Sequence, residues 1–311
     1  MLDSVAATLA YISSVKIHPA FPFLISPTLH AARVSMAYQA NARQSSTPLS
    51  WPTYIAGYLV MSWGGGFLSH LMLGLPPPML YSFGPWINYL TVHLVVTLFF
   101  SFFPSLLHPP TINTALFPLD ALVRTNAVVG GISLLYPSSP TFNLVNPLYI
   151  KSPLTHLIIG ALSSSGGATV AGTLGTWTAQ WGMSTPPLFR AGMGIWGNMD
   201  VWGGSVVAAV YGIAMNHPAF KNVLPTFLSL PIISHIAKSL YPLYYDVYTF
   251  ESLSFNPVEA KALVAVVFTV FFGLRVYNIH WSKKLENVDK KNNGRKAAGA
   301  AAIRRVDGEK L

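Results

Sequence analysis

The chain has 311 residues, of which 52% are hydrophobic and only 9% are charged. Soluble domains usually carry about 25% charged residues, so this composition excludes an ordinary water-soluble protein. The absence of cysteine excludes disulfides, thiolate chemistry and cysteine-ligated metals. No Asp, Glu, Lys or Arg occurs from Trp51 to Leu119. We therefore predict an all-α integral membrane protein.

The formal net charge of +9 is concentrated at the C-terminal end of the chain. After Trp281 there are nine basic residues and four acidic ones. Basic segments that flank membrane spans stay in the cytoplasm and touch anionic lipid headgroups. Residues 281–311 are therefore predicted to be a disordered cytoplasmic tail, with membrane lipids rather than nucleic acid as its partner.

Residues 1–19 are predicted to be a lumenal segment that lacks the pattern of a signal peptide. Residues 20–280 are predicted to form a transmembrane domain with seven spans, so that the N-terminus lies opposite the tail. The spans are expected at Phe21–Ala40, Trp51–Pro76, Trp86–Phe103, Ile112–Leu135, Pro153–Ala179, Asp200–Met215 and Val258–Ile279. A further apolar segment, Val223–Tyr241, contains two prolines, a histidine and a lysine, and is expected to lie at the membrane interface.

Two of the predicted spans contain glycine clusters that repeat each other. Gly65 and Gly66 in the second span are separated from Gly166 and Gly167 in the fifth by one constant offset. Glycine costs about 1 kcal/mol relative to alanine inside a helix, so we predict kinks in both spans. A three-span unit that recurs an odd number of crossings later must be inverted. The predicted fold is thus a 3+3 inverted repeat plus one helix, an arrangement that places ion sites near mid-membrane.

The glycine clusters are also the candidate pore. Ions are expected to pass beside Gly65, Gly66, Gly166 and Gly167, with hydroxyl groups supplied by Ser164 and Ser165. The alternative is that the glycines only let helices pack closely, as small residues often do in membranes.

Asp120 and Arg124 are ionisable residues four positions apart within the fourth predicted span. A charge at this depth costs about 2.5 to 3.5 kcal/mol and usually faces protein or water. We predict that the two residues line or gate a pore, with Arg124 also a candidate for binding lipid phosphate. The alternative is a structural ion pair between them on one helix face. Asp200, at the edge of the sixth span, is expected to be merely interfacial.

The sequence contains no nucleophile elbow, phosphate loop or pair of carboxylates within one span. The histidines of the spans are too scattered to suggest a metal site. The protein is therefore not expected to be an enzyme or to require a cofactor.

Several segments of the chain resemble the trimeric intracellular cation (TRIC) channel family. Trp63-Gly64-Gly65-Gly66-Phe67, followed by Leu71-Met72-Leu73-Gly74, is similar to the glycine run of the family's second helix. Asp120 to Ile132 is similar to its fourth helix, and Ser164-Ser165-Gly166-Gly167 to a step in its fifth helix. The likeness covers about residues 20–280 in collinear order.

This resemblance implies a homotrimer with one path per subunit that conducts monovalent cations, chiefly potassium. It implies residence in the endoplasmic reticulum or nuclear membrane, where the current balances charge during calcium release. It also implies regulation by phosphatidylinositol bisphosphate, for which Arg124 is the residue that matches. An inverted-repeat secondary transporter and a non-conducting scaffold of the same fold remain the alternatives.

Overall fold

The computed structural model describes residues 2–221 and 255–282. These residues form ten α-helices and a two-stranded antiparallel sheet. The helices are α1 (Leu2–Ser14), α2 (Ile25–Ala42), α3 (Trp51–Met72), α4 (Gly84–Phe102), α5 (Pro109–Ser133), α6 (Pro147–Ile150), α7 (Pro153–Leu174), α8 (Gly194–Gly197), α9 (Met199–Ala214) and α10 (Pro257–Val276). The predicted interfacial segment 223–241 and the predicted tail beyond residue 282 lie outside the described residues.

The N-terminal region has more structure than the sequence predicts. After α1, strands β1 (Lys16–His18) and β2 (Phe21–Leu24) form a hairpin. The first span was predicted to begin at Phe21, and this boundary is wrong because Phe21–Leu24 is extended. Leu9 and Ile12 of α1 are buried against α10. The N-terminal helix α1 is thus packed onto α10, the last of the described α-helices.

Several long helices begin at a polar residue followed by proline. Ser50 and Ser152 accept hydrogen bonds from backbone N–H groups in the first turns of α3 and α7. Asn256 and Glu259 form a capping box at the start of α10. Proline suits these positions because the first helical residues have no intrahelical acceptor for an N–H group.

Helices occupy all seven of the predicted spans. Four of them, α4, α5, α7 and α10 extended to Trp281, are long and apolar enough to cross a membrane. Helix α7 ends at Leu174 because Gly175 adopts φ 64°, which stops the helix five residues before the predicted end of the span. With 22 residues it is about 33 Å long, so its length requires no kink.

Helix α7 lies at the centre of the bundle, where it packs against both α3 and α9. Helices α5 and α10 pack on each other, and α10 also contacts α1 and α9. The core between α5, α7, α9 and α10 contains fully buried Ile132, Ile159, Val207 and Phe268. These four helices therefore share the main hydrophobic core, and Leu9 and Ile12 of α1 form a smaller cluster with Ala265 of α10.

Both glycine clusters lie within uninterrupted α-helices. Helix α3 continues through Gly65 and Gly66, and α7 continues through Gly166 and Gly167. Neither helix is thus broken at its glycine cluster, while the kinks stay a prediction. Close contact between the two helices supplies the packing that offsets the low helix propensity of glycine.

Candidate functional site

The glycines expected to line a pore instead form the crossing of α3 and α7. A Cβ atom added to Gly166 would lie 2.7 Å from the Cα atom of Gly65. A Cβ atom on Gly65 would collide with the carbonyl oxygen of Leu162, and one on Gly167 with that of Met61. The helices therefore meet backbone to backbone, and no ion can pass between these three glycines in this conformation.

Gly66 differs from its neighbour Gly65 because it faces open space. Apart from the backbone of its own helix and its two chain neighbours, no atom lies within 4 Å of a Cβ atom built on Gly66. It lines an open cavity of about 600 Å³ that is bordered by α2, α3, α4 and α5, the hairpin, and Ser163 of α7. Of the four glycines predicted to line a pore, Gly66 alone lines this cavity.

The cavity is mostly apolar, with a few polar side chains and no charged one among the described residues that line it. Its described lining contains Ser26, His30, Asn88, Tyr89 and Asn126, but no Asp, Glu, Lys or Arg. Asn126 Nδ2 donates to Ser26 Oγ at 2.8 Å, and the hydroxyl of Tyr89 lies 2.8 Å from His30 Nδ1. A cavity of this size with a few converging polar groups is typical of a binding site or vestibule.

Ser164 and Ser165, also expected to line the pore, are buried elsewhere. Ser165 Oγ donates to the carbonyl oxygen of Ala161, within α7 itself. A Cβ atom on Gly204 of α9 would lie 2.5 Å from Cβ of Ser164. Ser164 thus belongs to the contact between α7 and α9, and the preceding Ser163 is the hydroxyl residue that reaches the cavity.

The spacing of four residues suggested that Asp120 pairs with Arg124, but Asp120 pairs with Arg33 instead. It accepts two hydrogen bonds from Arg33 of α2, at 2.6 Å from Nε and 3.0 Å from Nη2. The same Nη2 donates to Asn113 Oδ1 at 2.7 Å. This bidentate geometry fixes both side chains and links α2 to α5, whereas an intrahelical pair would link nothing.

Arg124 pairs instead with Asp200, the residue expected to be merely interfacial. Arg124 Nη2 lies 3.5 Å from Asp200 Oδ1, while Arg275 Nη1 lies 2.6 Å from Asp200 Oδ2. The guanidinium of Arg124 also lies over the ring of Phe272, 5.8 Å from its centroid. Asp200 thus joins α5, α9 and α10.

A signal for these partners was present in the sequence. Asp120 and Asp200 are the only acidic residues from Ser4 to Tyr245. Because a buried arginine requires a counter-charge, these carboxylates were the available partners for Arg33 and Arg124 within that range.

Arg33, Asp120, Arg124, Asp200 and Arg275 together are called the ion-pair layer. Three arginines face two aspartates, so the layer carries one excess positive charge. Asn113, Asp120 and Arg124 lie on one face of α5 with Ala127 and Gly131, which line the cavity. His30, also in the cavity wall, precedes Arg33 by one helical turn of α2. The cavity and the ion-pair layer therefore follow each other along the same face of α5.

A separate aromatic cluster lies where α5 and α9 end and α7 begins. The ring centroids of His156 and His217 are 4.5 Å apart, and those of Tyr136 and His217 are 4.4 Å apart. Burial is the main cause that lowers the pKa of His217. The Tyr136 hydroxyl is buried without a hydrogen-bond partner, and burial raises its pKa. This cluster of neutral groups joins the ends of three helices.

Comparison with protein families, with characterised proteins and with solved structures found no match to this chain. The class of the protein therefore follows from its own features. The apolar helices and the interhelical ion pairs are those of an α-helical membrane protein.

Proposed function

We propose that the protein is a membrane channel for monovalent cations, with potassium as the main permeant ion. The observation that supports this is the alignment of the cavity and the ion-pair layer along one face of α5. Polar and ionisable residues inside a membrane bundle usually mark an ion or substrate path. The cavity serves as the vestibule, and the ion-pair layer serves as the gate.

The excess positive charge of the layer makes this conformation a closed one. A cation that leaves the uncharged cavity would meet three guanidinium groups and only two carboxylates. Repulsion between like charges is strong where water is scarce. Opening therefore requires one arginine to leave the layer.

Arg124 is the arginine that leaves. Its contact with Asp200 is 3.5 Å, whereas Arg33 and Arg275 each approach a carboxylate to 2.6 Å. Once Arg124 has moved away, two arginines and two aspartates remain, and the layer is neutral. This agrees with a role for Asp120 and Arg124 in gating, and it adds Arg33, Asp200 and Arg275.

The remaining parts of the proposal come from the resemblance to the trimeric channel family. They are a homotrimer, residence in the endoplasmic reticulum or nuclear membrane, and a counter-ion current during calcium release. Regulation by phosphatidylinositol bisphosphate belongs with them. Since Arg124 contacts Asp200 and Phe272 in the closed state, it becomes available to a lipid phosphate only after it has left the layer.

Recording from purified protein in planar bilayers with asymmetric potassium chloride tests the proposal. We expect currents that reverse near the potassium potential, and a higher open probability in Arg124→Ala. Lys151→Ala, which removes an exposed lysine outside the layer, is the matched control and should behave as wild type. Reversal near the chloride potential, or an unchanged open probability in Arg124→Ala, would contradict the proposal.

A secondary transporter is the second candidate, because an open cavity that is followed by closed ion pairs along α5 is also expected of a transporter in a state open to one side. Transport would give saturable solute exchange in proteoliposomes without single-channel currents. Folded protein that shows neither solute exchange nor current would favour the remaining alternative, a non-conducting scaffold.

A further inference from the structure

The ion-pair layer is connected to His280, near the end of the described C-terminal part of the chain. His280 lies in the π-helical turn Tyr277–Trp281 that follows α10. Its Nε2 atom is 3.1 Å from Nδ2 of Asn113, and Asn113 Oδ1 accepts from Arg33 at 2.7 Å. Arg33 in turn holds Asp120. A chain of four hydrogen-bonded side chains thus runs from the turn into the layer.

The donors and acceptors of these side chains permit only one arrangement of the hydrogen bonds between them. Arginine has donors and no acceptor, so Asn113 must present its oxygen to Arg33. The NH₂ group of Asn113 then faces His280, and Nε2 must accept the hydrogen bond with its lone pair. His280 is therefore neutral and carries its proton on Nδ1.

We propose that protonation of His280 opens the ion-pair layer, through the side-chain amide of Asn113. A protonated imidazole is a donor at both nitrogens and cannot accept from Asn113. Either this link breaks, or the amide turns its oxygen to His280 and presents donors to Arg33. The second arrangement removes a hydrogen bond from Arg33 and weakens its hold on Asp120, which neighbours Arg124 on the same face of α5. The layer then opens more easily, and Arg124 is still the arginine that leaves it.

The charges around His280 are known from the elements that pack against it. Arg275 of α10 and His108, which precedes α5, face the ring electrostatically, and Arg33 and Asp120 act through Asn113. Helix α8 also packs on this turn, and it contains no titratable residue. Asn113 transmits the effect of protonation by a change in its hydrogen bonds, since among the described residues it is the one that contacts both His280 and Arg33.

The regulatory part of this inference rests on the proposed channel function, but its chemistry can be measured without it. In full-length protein labelled with ¹⁵N-histidine in nanodiscs, the signal of His280 is identified by its loss in His280→Gln. At about pH 8, which is above the ordinary histidine pKa of about 6.5, we expect the Nδ1–H tautomer of the neutral ring. The Nε2–H tautomer at this pH would overturn the inference.

Flux through the same preparation tests the transmission to the layer. Between about pH 7.5 and about pH 5.5 on the tail side, we expect a gain of about tenfold, from loss of one hydrogen bond to a charged group. His280→Gln, which accepts from Asn113 at any pH, should abolish the response. Asn113→Leu should abolish it while His280 still takes up its proton. His18→Gln, at an exposed histidine of the hairpin that accepts from the backbone N–H of Ala20, should retain it.

The outcomes separate the two proposals. The expected tautomer without flux at any pH would overturn the channel and leave the inferred hydrogen-bonded chain in place. Flux with an unchanged pH response in Asn113→Leu would overturn the inference and leave the channel in place.

Discussion

At the scale of single residues, the pair of Arg33 and Asp120 carries the clearest energetic consequence. Their side chains are only 18% and 11% exposed, and two hydrogen bonds join them. Taking two charges out of water costs about as much as their attraction returns, so such a pair adds little net stability. Removing one partner is costly because the other charge is left buried and unpaired.

We therefore expect Asp120→Leu to destabilise the protein by about 3 to 5 kcal/mol, and the double variant Arg33→Met/Asp120→Leu to cost much less. Unfolding in detergent, followed by circular dichroism, measures both. Asp3→Leu, at an exposed position in α1, is the control and should be near neutral. Costs that simply add in the double variant would mean that the two residues do not interact.

His217 is a second residue whose environment has a measurable consequence. Nδ1 accepts from the backbone N–H of Ala219 at 3.2 Å, and Nε2 lies 3.3 Å from the carbonyl oxygen of Leu135. Both contacts are satisfied only by the neutral ring, and burial lowers the pKa of His217 in the folded protein. The unfolded chain binds the proton more readily, so acid favours unfolding.

Because acid favours unfolding through His217, the thermal unfolding temperature should depend on pH. The ordinary pKa of histidine in the unfolded chain is about 6.5, and the stability due to neutral His217 is complete above that pH. This stability is lost as the pH falls toward the lower pKa of His217 in the folded protein. His217→Asn keeps an acceptor for Ala219 and should flatten the fall of Tm between about pH 7 and about pH 5. His18→Asn is the matched control, because His18 accepts from Ala20 in the same way at an exposed turn. An equally steep fall in His217→Asn would refute the prediction.

At the scale of secondary structure, adjacent glycines of α3 have opposite roles. Gly65 faces α7 and has no room for a side chain, whereas Gly66 faces the cavity. Substitution by alanine adds the same methyl group at both positions, so the difference between the two variants isolates the helix crossing from helix propensity.

We expect Gly65→Ala to lower stability by about 1 to 3 kcal/mol, because its Cβ atom would force α3 and α7 apart. Gly66→Ala should be neutral or gain about 0.5 to 1 kcal/mol from helix propensity. Unfolding in detergent compares the two variants directly. Equal effects would show that α3 and α7 do not meet at Gly65.

The sequence predicted the positions of the long helices well, but it did not predict which side chains pair between helices or the hairpin before α2. Segments such as Trp86–Phe103 are apolar for their whole length, and that signal is local. The partner of Arg124 is not local, since Asp200 lies on another helix, and the i, i+4 spacing favoured Asp120 instead. The hairpin at Lys16–Leu24 was missed because its strands are short and carry no Asn-Gly or Asp-Gly turn.

At the scale of the whole molecule, the packing fixes which loops share a side of the membrane. Arg275 near the end of α10 meets Asp200 at the start of α9, and Trp281 meets Thr114 at the start of α5. The start of α5 therefore lies on the side of the C-terminal tail. The far end of α5, at Ser133, lies on the opposite side.

Cysteine labelling tests this arrangement in a chain that has no cysteine of its own. In sealed vesicles with the cytoplasmic face outward, an impermeant maleimide should label Ser105→Cys, in the exposed turn before α5. Ser138→Cys, in the loop after α5, and Ser4→Cys in α1 should react only after the vesicles are opened. Labelling of Ser138→Cys in intact vesicles would place both ends of α5 on one side and exclude a span.

The excess charge of the ion-pair layer has a further consequence, for the response to membrane potential. An elementary charge that crosses the full field changes in energy by about 2.3 kcal/mol per 100 mV. Arg124 is the charge that moves in the proposed opening, so part of this energy enters the gating equilibrium. Its sign is fixed by the direction in which the guanidinium swings. Arg124→Gln keeps a polar side chain of similar reach but moves no charge, and it should flatten the dependence of open probability on voltage.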